Sequence, residues 1–532
     1  MKRIKRAVAH AMAFGIAIAA VGNGSQAAAP DIPGNTTTTA TLQAAQSVIS
    51  DFYQHSDSDW FAIDLEANQA MRINVSPSGA LPADRISLSL YSATGHPIAY
   101  AYNGTSPNQT LPLAASIAGR YYIGVSGRMG EYTLTAATGP GKPAYTHQQI
   151  AYYLTDGWWA DCKISRPAPR SGRLTYSIAP DSKPEAEARM LAALGAWAAV
   201  STNTVVRADE GQQGNFINLL PSNQAWTSQV WLHELGHAWG FGHAGNYSAG
   251  SASKCANRIG GWSPFVGEGR NDYLQDNLHA TVMSYFPEMH AASSPLYGSQ
   301  DRRVGPTVAD ILAIQTLYGV PTDKRLGDTV YGFGSNADVA AYDFSKYIEG
   351  TANNPGSATM VSFAIFDSGG NDTLNASGFT ANQTIDLHAG AYSSIGREIG
   401  NIGIAVNTVI ENARGGSGND VLIGNDVANV LEGSAGHDTL DGEGSADQLT
   451  GGLGNDRFLF APNDGADTVA DFQDGLDKIV LFNFGLSGFS QLQDKISNVN
   501  GDARIDLSER GSSIVLTGVN AASLDASDFV FD

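Results

Sequence analysis

Eleven residues, His233 to His243 (HELGHAWGFGH), carry the chemistry that this chain announces most clearly. Residues four apart share a helix face, so His233 and His237 can direct two imidazoles at one cation. Glu234 stands beside them as a general base for water. Gly240 can take the positive φ that ends a helix and turns the chain back, which would bring in His243 as a third ligand. Three protein ligands leave one tetrahedral position for water, the pattern of a catalytic rather than a structural zinc site. With 11 His and 60 Gly in 532 residues, the full pattern arises by chance in roughly one such chain in a hundred thousand, so a helix of merely buried histidines is a poor alternative.

Forty residues past His243 lies Thr281-Val282-Met283-Ser284-Tyr285. With the long histidine motif, this segment resembles the Met-turn of the metzincins, specifically the serralysin-like group. HAGNYSAG from His243 and DILAIQTLYG from Asp310 resemble the same group. The resemblance implies a zinc metalloendopeptidase that hydrolyses peptide bonds of extracellular proteins. Met283 would underlie the zinc, and Tyr285 would be a further zinc ligand that swings away to stabilise the oxyanion. One departure concerns the cleft: only 35 residues separate Trp197 from His233, fewer than serralysins have, so strand and loops at the rim are missing.

The elements that must position these residues are legible around them. Gln148–Trp159 has a helical pattern with Tyr152, Tyr153, Trp158 and Trp159, an aromatic group read as core rather than substrate site. Lys183–Val200 is amphipathic, apolar at Met190, Leu191, Leu194 and Trp197. Short strands are expected within 201–220, the histidine helix from about Ser228, and a last helix over 307–318 closed by Gly319 and Pro321. Together they predict an α/β metzincin-like domain over 147–322. Before it, 138–146 is a Gly/Pro-rich linker, and 31–137 alternates in short strands such as Asp59–Leu65, Ala70–Val75 and Glu131–Ala136. That pattern predicts an antiparallel β-sandwich. SDSDWFAIDL, ISLSLYSATG and GRYYIGVSG there resemble the pre-peptidase C-terminal type of accessory domain.

The final third, 323–532, is a repeat array. Nine-residue units begin at Gly415, Gly424, Gly433, Gly442 and Gly451, with Asp420, Asn429, Asp438, Asp447 and Asp456 at their sixth positions. This is the nonapeptide of calcium-binding parallel β-rolls. Glycines such as Gly416 and Gly418 permit tight turns and offer carbonyls, while each aspartate supplies the hard oxygen that Ca²⁺ prefers. Leu422, Val430, Leu440, Leu449 and Phe458 are assigned to the inward position. Asn429 lacks the charge of its counterparts, so a weak or empty half-site is expected there. RLGDTVYGF from Arg325 and DSGGNDTL from Asp367 resemble the serralysin approach to this roll. The likeness implies one calcium held by Arg325, Gly327, Thr329, Asp367, Gly369 and Asp372, and a second by Gly370, Asp372, Val409 and Glu411.

The whole is expected to be a multidomain α+β protein. A formal charge of −21 argues against nucleic acid and anionic membranes and for cation binding. MKRIKR followed by an apolar run from Ala7 to Val21 reads as a secretory signal peptide over 1–29, with an uncleaved anchor as the alternative. No later segment is apolar enough to span a bilayer. The terminal DASDFVFD resembles an RTX-type export signal and equally suits a plain β-strand. A secreted monomer that meets bacterial export machinery is expected. Cys162 and Cys255 flank the histidine motif; a disulfide is the main reading and a latency ligand the other. The competing function is a non-enzymatic adhesin or scaffold built from sandwich and roll; zinc hydrolysis of a non-protein substrate is a second.

Overall fold

Apolar–polar alternation between residues 47 and 138 produces two antiparallel sheets. The computed structural model describes residues 40–531 except 245–279, 285–302, 347–360, positions 397 and 399, and short stretches before residue 226. Residues 1–29, expected to be a signal peptide, therefore lie outside the described residues, as does most of the expected linker.

Eight strands are β1 (Ser47–Phe52), β2 (Asp57–Leu65), β3 (Ala70–Pro77), β4 (Ser87–Tyr91), β5 (Pro97–Ala101), β6 (Gln109–Ala114), β7 (Gly119–Gly127) and β8 (Gly130–Thr138). They form sheets in the order β1-β8-β3-β6 and β2-β7-β4-β5. Successive side chains of a strand face opposite ways, so Met71, Ile73 and Val75 are buried on one face, as are Tyr132, Leu134 and Ala136. Trp60, Ala62 and Tyr122 make a smaller cluster, and Ala62 is bridged by Thr41. The reading from sequence had not separated β1, β5 and β6.

Helix α1 (His147–Tyr152) begins in a capping box formed by Thr146 and Gln149. It continues as a π-turn, Tyr153–Gly157, into α2 (Trp158–Asp161). The expected continuous α-helix thus contains an unforeseen π-turn. Strands β9 (Arg173–Ile178), β10 (Thr204–Arg207) and β11 (Ile217–Leu219) form a parallel sheet in the order β10-β9-β11. Between β9 and β10 runs α3 (Pro184–Ala198), with Pro in its first turn and Met190, Leu194 and Trp197 buried. The histidine helix α4 spans Ser228–Ala238, and α5 spans Val308–Tyr318. Thr307 and Asp310 cap α5 reciprocally, and Gly319 ends it at φ +87.

From residue 373 the chain winds so that alternate strands enter two parallel sheets. Thr373–Asn375, Asn412–Arg414, Val430–Ala435, Gln448–Leu453 and Gly465–Val469 stack in one; Thr384–Asp386, Val421–Asn425, Thr439–Glu443, Arg457–Phe460 and Lys478–Leu481 stack in the other. Val421 lies opposite Thr439, and Thr439 opposite Arg457, so one coil consumes two repeat units. Leu422, Leu431, Leu440, Leu449 and Phe458 are all fully buried in the core that results. Val430 is 37% exposed, which corrects its inward assignment. In a strand a one-residue slip exchanges faces, and Leu431 is the residue in register. Phe529–Phe531 closes the second sheet as a parallel strand beside Ile479–Leu481.

The chain forms two compact units. One holds Ser171–Leu232 and Arg302–Asp532; the other holds Phe14–Arg170 and His233–Asp301. The expected 147–322 segment is shared between them, with the boundary inside α4.

Candidate active site

Helix α4 ends where the glycine was expected to end it. Trp239 N–H still reaches Leu235 O, Gly240 N–H shortens to His237 O, and Gly240 takes φ +98. The return brings His243 back, so that one ligand atom from each of His233, His237 and His243 lies within 4.8 Å of the others. His237 Nε2 and His243 Nε2 are 3.2 Å apart. Two zinc–nitrogen bonds of about 2.05 Å at a tetrahedral angle separate their nitrogens by about 3.3 Å, so this spacing suits a shared cation.

The far side of two rings is fixed by main-chain carbonyls. His233 Nδ1 lies 2.9 Å from Val282 O, and His237 Nδ1 lies 2.9 Å from Phe241 O. A ring that donates its Nδ1–H to a carbonyl presents the Nε2 lone pair, the orientation a metal needs. Burial, then the neighbouring His237, lowers the His233 pKa to about 4 and keeps its ring neutral. The residues present therefore fit a zinc ion. Glu234, one residue along the helix, is exposed to solvent.

Met283 is fully buried in a turn that closes from Ser284 N–H to Thr281 O. Thr281 Oγ1 accepts the Met283 N–H at 3.0 Å, and Met283 O accepts the N–H of Ala244, the residue after His243. The turn thus touches the segment that carries the third histidine and, through Val282 O, the ring of the first. Tyr285 and Cys255 lie outside the described residues. Cys162 is buried beside Trp158.

Three residues that the sequence did not nominate also shape this site. Leu154 O accepts the Gly242 N–H at 2.8 Å, and Trp159 Nε1–H donates to Gly240 O at 3.2 Å. The ring of Trp158 meets that of His243 edge-on at 5.3 Å. A paired tryptophan after a helical glycine was the available signal; the Leu154 carbonyl left none.

In the roll, aspartates form two ladders along the coils. Asp420 N–H donates to Asp438 Oδ1, Asp438 N–H to Asp456 Oδ1, and Asp456 N–H to Asp477 Oδ1, at 2.7, 2.8 and 2.9 Å. On the second ladder, Asn429 N–H donates to Asp447 Oδ1 and Asp447 N–H to Asp467 Oδ1. The other carboxylate oxygens of Asp438, Asp447, Asp456 and Asp467 are buried without a hydrogen-bond partner. Burial raises these four pKa values to about 7, 8, 6 and 7, and that of Asp420 to about 6. Orphaned anionic oxygens in pairs are what a calcium ion would satisfy, so the donor set fits that ion. Glycine is required because each carboxylate folds back over its own repeat: a Cβ on Gly433 would lie 2.4 Å from Asp438 Oδ2. Gly418 stacks under Gly436, leaving no room for a Cβ there. Asn429 accepts the Asn425 N–H through Oδ1 and donates to Glu411 O, so a protein amide meets that turn's carbonyl.

At the approach to the roll, Thr329 N–H donates to Asp372 Oδ1, Asp372 N–H to Glu411 Oε2, and Gly369 N–H to Asp367 Oδ1. Gly370 packs against Gly327 O and Asp372. Arg325 takes φ +53, and its guanidinium is held by Ala199 O, Phe366 O and Asp338. Burial raises Asp372 to about 7, and the Val409 side chain is 48% exposed. The structure therefore gathers Gly327, Thr329, Gly370, Asp372 and Glu411, with Asp367 and Gly369 joined to each other beside them.

The histidine cradle, the buried methionine turn and the coils of paired nine-residue repeats define a metzincin joined to a repeat roll. The family model "Peptidase M10 serralysin C terminal" matches residues 321–530. Serralysin G of Dickeya chrysanthemi is 33% identical over 436 residues, covering 70% of this chain and 83% of that protein. Metalloprotease AprA of Pseudomonas entomophila is 45% identical over 271 residues, 50% of this chain and 51% of its own. Serralysin of Photorhabdus luminescens is 45% identical over 269 residues, 49% and 50% respectively. The chain belongs to the serralysin family. It spans about half the length of two of these curated relatives, the AprA metalloprotease and the Photorhabdus serralysin.

Proposed function

We propose that this chain is a secreted, calcium-stabilised zinc metalloendopeptidase. The observation that carries the reading is the convergence of three imidazoles beside an exposed Glu234. His233, His237 and His243 would hold the zinc. Bound there, Zn²⁺ supplies Lewis acidity that polarises a carbonyl and lowers the pKa of a water toward ~7. Glu234 takes the proton of the attacking water and delivers it to the departing amine. Tyr285 donates a hydrogen bond to the oxyanion that develops on the scissile carbonyl. Val282 O and Phe241 O hold two of the ligand rings in the required tautomer throughout.

Calcium ions are proposed between successive turns of the roll, held by Asp420, Asp438, Asp447 and Asp456 with neighbouring carbonyls. The approach turns from Arg325 and Asp367 would hold further ions. We also propose that Cys162 pairs with Cys255, in keeping with the exported setting. Among the described residues, no helix is long and apolar enough to cross a membrane. A scaffold without activity has no use for a solvent-facing carboxylate next to this ligand set.

Glu234→Gln is the test. The variant should retain one zinc per chain by elemental analysis yet lose casein hydrolysis by about a thousandfold or more, the share of a general base plus its proton delivery. Full cleavage by that variant would remove Glu234 from the mechanism.

A further inference from the structure

We propose that the π-turn Tyr153–Gly157 and the two tryptophans after it are the positioning element for the third metal ligand, His243. The inference rests on the zinc-site reading above. Its starting point is an inequality among the ligands: His233 and His237 are placed by the helix that carries them, whereas His243 follows a return containing Gly240 and Gly242. Glycines give a chain its widest conformational freedom, so something outside the return must hold it.

The helix 147–161 supplies that hold because its hydrogen bonding is out of α register. In an α-helix the Leu154 carbonyl would accept the Trp158 N–H. Here the Trp158 N–H reaches back one residue further, to Tyr153 O, as in a π-turn. Leu154 O is thereby released and accepts the Gly242 N–H at 2.8 Å. The neighbouring Thr155 carbonyl accepts from the Arg166 guanidinium instead. Past the turn, the indole N–H of Trp159 donates to Gly240 O at 3.2 Å. Both glycines of the return are therefore held from one helix.

The tryptophans complete the hold by shape. Trp158 and Trp159 meet edge-to-face at 4.8 Å. Trp158 fills the space beside Gly242, where a Cβ would lie 2.5 Å from its ring, so only glycine lets the indole this close. The same indole then meets the His243 ring edge-on at 5.3 Å. Trp158 and Trp159 thus act through His243 and the return that carries it. Loss of groups that orient a metal ligand typically weakens metal affinity by about 10–100-fold.

The experiment uses the full chain with its calcium, stripped of transition metal and titrated with Zn²⁺ and Co²⁺ against a chromophoric chelator. Trp159→Phe removes one hydrogen bond and keeps the ring; Trp158→Leu removes the indole that abuts His243. Zinc affinity should fall about tenfold in the first and about a hundredfold in the second. The visible Co²⁺ absorption should change in both, while the Tm of metal-free Trp159→Phe stays that of the parent. Excess zinc should restore the hydrolysis rate of Trp159→Phe at an unchanged KM. Zinc affinity within twofold of the parent in Trp159→Phe, with an unaltered Co²⁺ spectrum, would overturn the inference even if Trp158→Leu fails to fold. A parent that binds neither ion would overturn the zinc reading and this inference with it; a parent that binds both while the variants match it sinks the positioning role alone.

Discussion

The histidine cradle and the aspartate ladders, the two proposed cation sites, differ in how far the protein alone completes them. In the cradle, Val282 O and Phe241 O already orient two rings, and Leu154 O anchors the loop that brings the third. These contacts need no ion to form, so the site can stand preformed. In the ladders Asp438, Asp447, Asp456 and Asp467 each accept the preceding coil's N–H with one oxygen and leave the other buried without a partner. Burying such anions is expensive, and a cation is what offsets it. On the proposed function, the cradle would take its ion for chemistry and the ladders would take theirs for folding.

Removing calcium should break the comparison most visibly. In the full chain, a calcium chelator should abolish much of the β signal in circular dichroism, and added Ca²⁺ should restore it. An unchanged spectrum would mean that the ladders stand by themselves, as the cradle does. Zinc removal should leave that spectrum intact.

Steric change in the ladders comes next. Gly433→Ala places a Cβ 2.4 Å from Asp438 Oδ2 and 2.6 Å from Gly451 O, so it should cost about 3 kcal/mol in calcium-saturated unfolding. Gly444→Ala meets nothing closer than 3.6 Å and should stay within about 0.5 kcal/mol of the parent. Equal effects would dismiss the close approach of carboxylate over glycine as the reason for the repeat.

The smallest effect concerns a clamp in the roll that uses a proton in place of a metal. His388 joins Asp386 at 2.7 Å and Glu443 at 2.9 Å, and those hydrogen bonds raise its pKa to about 10. A folded pKa above the unfolded value of about 6.5 means the contribution is complete below that pH. It is lost as pH rises through about 10. His388→Gln should therefore cost about 1 kcal/mol at pH 6, discounted for partial exposure, and progressively less toward pH 10. A cost independent of pH would show that charge plays no part in the clamp.

How much was legible depended on whether a side chain's identity or only its backbone carried the role. The spacing of His233, His237 and His243 and the recurrence of aspartate every nine residues are written in residue types, and the structure brings those residues together. Leu154 and Val282 act through carbonyl oxygens that every residue owns, so nothing in the sequence distinguishes them. Trp158 and Trp159 were visible as aromatics, but their neighbours across the fold were not. Val430 was misplaced because adjacent apolar residues in a strand differ only in register, and burial of Leu431 settles which faces inward.

By itself the sequence determined which donors meet in the cradle and in the ladders, because local spacing on a helix or in a repeat fixes which side chains share a face. The tertiary structure alone decided how the third histidine is held, through a π-turn about eighty-five residues upstream that frees one carbonyl. It alone decided that Asp438, Asp447, Asp456 and Asp467 are half-satisfied, since their partners lie one coil away and appear only when the chain has wound.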